Sequence, residues 1–129
     1  VGKQARTSAP AYFDGQPLTL YSQPSVIGDS REIIVTDDAG NEVQRLPVSA
    51  EDEPITWAGV GAGGEPMTTG SYGFEIVTIS QGEVVARDPV ETYGRITEVR
   101  VEDGKTVLVL RGGATVPSNG VTALRDGSA

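Results

Sequence analysis

The stretch from Ile55 to Ile79 constrains this chain more than any other. It holds the single tryptophan, Trp57, then a glycine-rich segment, then an alternating run that sets Tyr72, Phe74, Ile76 and Thr78 on one side. Period-two alternation of aromatic and β-branched residues fits a half-buried pleated strand and not a helix. Strand, wide loop, strand is the plain reading, and it makes Ile55–Ile79 a core hairpin. Aromatic residues are scarce elsewhere, so Trp57, Tyr72 and Phe74, with Ile76 beside them, are the expected anchors of a core.

The rest of the chain repeats that pattern on a smaller scale. Its aliphatic residues are mainly Val and Ile, and 17 Gly and 8 Pro interrupt the runs. That balance favours many short strands and turns. Strand-like runs are Val1–Thr7, Tyr12–Phe13, Leu18–Tyr21, Arg31–Thr36, Glu42–Leu46, Ile55–Trp57, Ser71–Ser80, Glu83–Val85, Thr92–Glu102 and Thr106–Arg111. Short apolar segments follow at Ala114–Val116 and Val121–Leu124. Gly40, Gln81–Gly82 and Asp103–Gly104 sit where hairpins need turns. No segment has a helical period, so the expected class is all-β. Breaks near Pro24 and at Arg87–Asp88–Pro89 suggest a middle module between two outer segments. Pairing of the first strand with the last would close the outer segments into a small barrel.

The 129 residues fit one ordinary domain or two small modules that lean on each other; a chain of this size buries roughly 65–70% of its unfolded surface. The formal net charge is −8 with no basic cluster, which argues against nucleic acid and anionic membranes, both bound mainly through Lys and Arg. With neither Cys nor His, disulfides, thiol nucleophiles and imidazole bases are excluded, and a serine triad cannot be built. No apolar run reaches the length of a membrane-spanning helix, and no signal segment opens the chain. Val1 in place of Met suggests a piece of a longer protein.

Several patterns invite a chemical reading. Gly59–Gly64 matches G-x-G-x-x-G, but the dinucleotide fingerprint needs a helix next, and Glu65–Gly70 contains Pro66 and no helical period. A flexible loop between strands fits better. Asp37–Glu42 is rich in oxygen-bearing side chains, yet it lacks the spacing of a calcium loop and has the composition of a hairpin turn. Glu51–Asp52–Glu53 and the pair Asp88 and Glu91 are the carboxylate groupings open to acid–base work. They lie among prolines in surface segments, where solvated charge is the ordinary role. No catalytic, cofactor-binding or metal-ligating residue is predicted, and no cofactor.

The order Trp57-x-Gly59, Gly64, then Gly70-x-Tyr72-x-Phe74 resembles the C-terminal region of the flagellar hook-capping protein family (FlgD type). Gly94–Val99, the hairpin into Val107–Leu110, Gly112–Gly113 and Val116–Val121 are similar to the remainder of that region, and Val1–Lys3 to its first strand. Ala58 replaces the usual Asp, and Thr68 a common Pro. The resemblance implies a fibronectin type III/Ig-like β-sandwich, residues 24–87, inserted into a small Tudor-like β-barrel made of residues 1–23 and 88–129. It also implies a non-enzymatic scaffold at the tip of the growing hook, exported by the flagellar apparatus, that self-associates into a cap and contacts hook subunits. Gly59, Gly61, Gly64 and Met67, within the exposed loop Gly59–Thr69, and the segment Ser49–Glu53 are the candidate contact surfaces. The alternative is an extracellular sandwich that binds a carbohydrate or protein partner through an exposed aromatic platform.

Overall fold

The computed structural model describes residues 1–49, 54–61 and 63–127. Eleven strands make up the described chain: β1 Gln4–Thr7, β2 Ala11–Phe13, β3 Leu18–Ser22, β4 Ser30–Thr36, β5 Glu42–Val48, β6 Ile55–Trp57, β7 Gly70–Ser80, β8 Glu83–Glu102, β9 Lys105–Leu110, β10 Thr115–Pro117 and β11 Ala123–Arg125. A single 3-10 turn, Ser118–Gly120, is the one helical element among the described residues. Every strand pairing is antiparallel. The chain is all-β, as its composition and periodicity predict.

The tight hairpins follow from their turn residues. Gln81 and Gly82 take φ of 54° and 81°, and Asp103 and Gly104 take 51° and 76°. Positive φ at both central residues gives the primed turn whose twist matches the flanking strands. These turns join β7 to β8 and β8 to β9, so a long antiparallel ribbon runs β10-β9-β8-β7-β4-β5.

Two expectations fail. Ile55–Ile79 is not a hairpin: β6 pairs with β3, Leu18 opposite Trp57, whereas β7 pairs with β2, β4 and β8. The two strands meet through their side chains instead of their backbones. The Arg87–Asp88–Pro89 break is also absent, because β8 runs unbroken through it for 20 residues. Pro89 stands opposite Glu75 at the last rung shared with β7, and Val90 opens the pairing with Ser22 of β3. Proline lacks a backbone N–H, and a handover between two neighbouring strands is a place where that loss is tolerated.

Beyond Pro89 the same strand pairs with β1 over Thr92–Arg95 and with β9 over Ile96–Glu102. Strand β1 also pairs with β11, Gln4 opposite Arg125. The first and last strands therefore share a sheet.

Buried apolar residues form two clusters. The larger holds Phe13, Leu20, Ile33, Val35, Trp57, Tyr72, Ile76 and Val90. The smaller holds Ala5, Ile96, Leu108, Leu110 and Val116. Strand β8 contributes to both, through Val90 and Ile96.

Candidate functional site

Trp57 ends β6 and is only 2% exposed. Its ring lies 5.1 Å from Phe13 and from Phe74, each edge-on, and 5.3 Å from Tyr72. Edge-to-face contacts of this kind add about 0.5–1.5 kcal/mol each beyond the area buried. Tyr72 and Ile76 are buried, and Phe74 packs partly exposed against the same cluster. A buried indole N–H needs an acceptor, and Gln44 of β5 supplies it with its Oε1 at 2.8 Å. An aromatic platform for sugar stacking is not available at Trp57, whose faces and N–H are all engaged.

Phe13 is the aromatic member of this cluster that the sequence reading did not single out, and Leu20, Ile33, Val35 and Val90 are the aliphatic ones. Phe13 is 1% exposed and comes from a three-residue strand, too short for periodicity to stand out. The signal that was present is the apolar–polar–apolar order of Ala11, Tyr12 and Phe13 before the Asp14–Gly15 turn.

The glycine loop is shaped by this core. Gly59 has φ 72°, and a Cβ there would lie 2.2 Å from the Phe13 ring, so only glycine fits at that approach. Its carbonyl accepts from Met67 N–H at 2.8 Å, and Gly61 N–H donates to the Glu65 carbonyl at 2.9 Å. Gly64 N–H returns to the Gly61 carbonyl at 3.0 Å, and Val60 bridges to Pro66. The Gln44 amide donates to the Val60 carbonyl at 3.0 Å, and the Tyr72 hydroxyl to that of Thr68. The described part of the loop is thus a small backbone-bonded hairpin, more tied down than a flexible linker. Extended chain follows Gly64 where a nucleotide site would place a helix, so G-x-G-x-x-G here is turn chemistry.

The carboxylate candidates are taken up by local structure. Asp37 Oδ1 accepts from the backbone N–H of Ala39 and of Asn41, at 3.0 and 2.9 Å, which closes the β4–β5 turn. Asp88 accepts from the backbone N–H and the hydroxyl of Ser25 at 3.0 Å each. Glu91 pairs with Arg6 at 2.9 Å. Asp88 and Glu91 stand three apart in one strand, so they face opposite sides of it and do not form an acid–base pair. Glu51, Asp52 and Glu53 lie outside the described residues, as does Ala50, so of the Ser49–Glu53 contact candidate only Ser49 is described. Among the described residues no group of three His, Cys, Asp or Glu is arranged to hold a metal ion.

The perturbed charges are surface pairs. Hydrogen bonds from the Gln16 backbone N–H and then from Arg111 hold the Asp14 carboxyl below its ordinary value. Glu42 is lowered by its bond to Arg45, which Glu42 and then Glu32 raise in turn. Arg100 is raised, chiefly by Glu98. These are exposed salt links between neighbours, without the desolvated, mismatched pair of a catalytic site.

Several open grooves flank this framework, and two of them bear on the candidate residues. One, about 620 Å³, lies between the Asp37–Gly40 turn and the glycine loop, with Met67 in its wall. The other, about 300 Å³, lies where β2 meets β8 and the end of β9, beside Tyr12, Tyr93, Arg95 and Arg111. Both are open surfaces of the β framework.

Comparison with known proteins agrees with this picture. The crystal structure of FlgD from Pseudomonas aeruginosa is similar over 96% of each chain, with a TM-score of 0.78 and 21% identity. FlgD from Xanthomonas campestris is similar over 96% of this chain and 93% of that one, with a TM-score of 0.74 and 22% identity. That structure is described as giving insights into the hook capping essential for flagellar assembly. At these identities the likeness establishes the shared fold. No curated protein matches the chain by sequence. The family model for the FlgD Ig-like domain matches residues 7–83, well over half of the chain, with Trp57, the glycine loop and the Gly70-x-Tyr72-x-Phe74 run inside the match. The chain belongs to the FlgD family of hook-capping proteins, and the matched segment is its Ig-like domain.

Proposed function

We propose that this chain is a non-enzymatic scaffold that caps the growing bacterial flagellar hook and promotes polymerisation of hook subunits. The observation that carries the reading is the family match over residues 7–83. The hook-capping role described for the Xanthomonas relative supports it. The site's chemistry agrees: it offers open surfaces, and Asp37, Asp88 and Glu91 are engaged in turn bonds and a salt link. Its partners would be hook subunits and further copies of itself, outside the cell at the hook tip, reached through the flagellar export apparatus. No helix of the described chain is long and apolar enough to cross a membrane.

The architecture that goes with this role is a fibronectin type III/Ig-like sandwich inserted into a small Tudor-like barrel. Its outer segments are residues 1–23 and 88–129, and its inserted part is 24–87. The pairing of β1 with β11 supports a unit built from both ends. Two separate apolar clusters support two units. The pairing of β2 with β7 and of β3 with β6 favours drawing Ala11–Ser22 with the sandwich. The bonded hairpin presents Gly61, Gly64 and Met67 to a partner, a hook subunit or a second copy, while Gly59 is buried against Phe13 and shapes the loop from beneath. A sugar-binding role is disfavoured because Trp57 is shielded.

Deleting the region equivalent to this chain from a full-length hook-capping protein, and examining flagella by electron microscopy, tests the role. Cells without hooks are the expected result. Hooks of normal length and number would overturn it.

A further inference from the structure

Charge is distributed unevenly along this chain. Between Pro24 and Arg87 there are eleven acidic and three basic residues, and outside that span seven of each. The whole net charge of −8 therefore falls on one segment, and the outer segments are neutral.

The outer segments also arrange their arginines on one sheet face. Register across β8, β1 and β11 sets Arg95, Gln4 and Arg125 side by side in one row. Two residues further along, Tyr93, Arg6 and Ala123 form the next row of that face. The alternate row contains Ala5, which is fully buried in the smaller core, so the arginine rows face outward.

Arg125 stacks on Tyr93, 3.8 Å from the ring centroid, and its Nε donates to Gln4 Oε1 at 2.6 Å. Arg95 donates only to the Gly127 carbonyl, at 3.4 Å. Arg6, Arg45, Arg87, Arg100 and Arg111 each pair with a carboxylate; Arg95 and Arg125 pair with none among the described residues. Both guanidinium groups lean on neutral partners and keep donors free, the state in which a planar fork binds an incoming carboxylate.

The acidic segment supplies the complement. Asp38 and Glu65 line the groove beside the glycine loop, with Met67 and Val43. Neither carboxylate has a cationic partner among the described residues. This groove and the cleft beside Arg95 share no lining residue, so they are distinct surfaces.

We propose that the Arg95–Gln4–Arg125 row of one copy docks against the Asp38 and Glu65 groove of a second copy. This deepens the self-association reading above by naming its two faces, and it rests on that reading. The contact is head to tail: a pair of copies keeps one unused face of each kind, so the assembly extends to a ring or a filament. Complementary charge steers the encounter and salt screens it.

Sedimentation velocity on the chain at about 20 mM and about 500 mM ionic strength tests the contact through screening. Association at low salt is expected, weakening at least about tenfold at high salt, as charge-steered contacts do. R95E/R125E and D38R/E65R should each remain monomeric at low salt, and an equimolar mixture of the two should associate again. Unchanged Trp57 emission verifies that each variant is folded, and R125Q alone gives a milder loss that does not rely on charge reversal. A wild-type chain monomeric at both salts, or association that the reversals leave intact, overturns the proposal. If hooks require this region while the chain stays monomeric, this interface is removed and the scaffold role stands.

Discussion

The two apolar clusters are built by different means. The larger is desolvated aromatic packing: Trp57, Phe13 and Tyr72 interlock with Ile33, Val35 and Ile76. The smaller has no aromatic member and only five buried residues. Its tyrosines stand outside, with Arg125 over Tyr93 at 3.8 Å and Arg6 over Tyr21 at 4.4 Å. Exposed cation–π contacts are worth roughly 0.5–1 kcal/mol, far less than a buried indole. The larger cluster can hold its strands together by packing alone, whereas the smaller relies on strand pairing and on β8, which it shares with its neighbour. One strand through both makes the smaller cluster depend on the larger.

The largest effect should come from Trp57→Ala. Truncating a buried tryptophan leaves a cavity and removes three ring contacts, at a cost of about 3–5 kcal/mol. Because β8 spans both clusters, chemical denaturation followed by far-ultraviolet circular dichroism should still show one transition, at much lower denaturant. Two separated transitions would mean that the smaller unit stands by itself.

Leu110→Ala is the matching cut in the smaller cluster, where Leu110 is 4% exposed. The expected loss is about 2–5 kcal/mol, and its distribution should differ. Hydrogen exchange should accelerate in β9 and β10 while β4 and β7 keep their protection, since those strands are held by the aromatic cluster. Equal acceleration in all four would erase the distinction between the units.

How much of this could be read in the sequence depends on the range of each interaction. Local chemistry was legible: the Gln81–Gly82 and Asp103–Gly104 turns, the alternation of β7, and the short run at Ile55–Trp57 all follow from neighbours along the chain. Partnership was not. Nothing in Ile55–Thr56–Trp57 says that its backbone pairs with Leu18–Leu20 instead of with β7, because a three-residue strand has too few rungs to encode a register. Pro89 marked a change correctly but suggested the wrong one, a break where the strand exchanges neighbours. In the candidate site, the Trp57-x-Gly59 spacing and the glycine run were visible. The reason for Gly59 was hidden, since the Phe13 ring that excludes a side chain there lies 46 residues earlier.

Gln44 connects the aromatic cluster to the loop, and it sharpens the comparison at smaller scale. Gln44→Leu removes the acceptor for the buried Trp57 N–H and the donor to the Val60 carbonyl. Leaving that N–H unsatisfied costs about 1–3 kcal/mol. The loop should loosen more than the strands do, read as faster amide exchange at Gly61 and Gly64 with β7 little changed. If the loop keeps its protection, its shape comes from its own backbone bonds, and Gln44 serves Trp57 alone.

The smallest effect belongs to a link between the two clusters. Asp14, just after β2, accepts from Arg111, just after β9, at 2.8 Å, and Arg111 also lies over the Tyr12 ring. Folding lowers the Asp14 pKa from its ordinary 3.8, through the Gln16 N–H first and Arg111 second. A carboxylate with a depressed folded value stabilises the fold above its unfolded pKa, and that stability is lost as pH falls through the folded value. Asp14→Asn should therefore lower the denaturation midpoint slightly at neutral pH, with less effect at high salt because the pair is exposed. The gap between the two proteins should close as the pH falls below 3.8, where the wild-type group also becomes neutral. A gap that persists undiminished in acid would mean that the charge of Asp14 holds nothing together. The two clusters would then be joined through β8, and that one strand would set their relation.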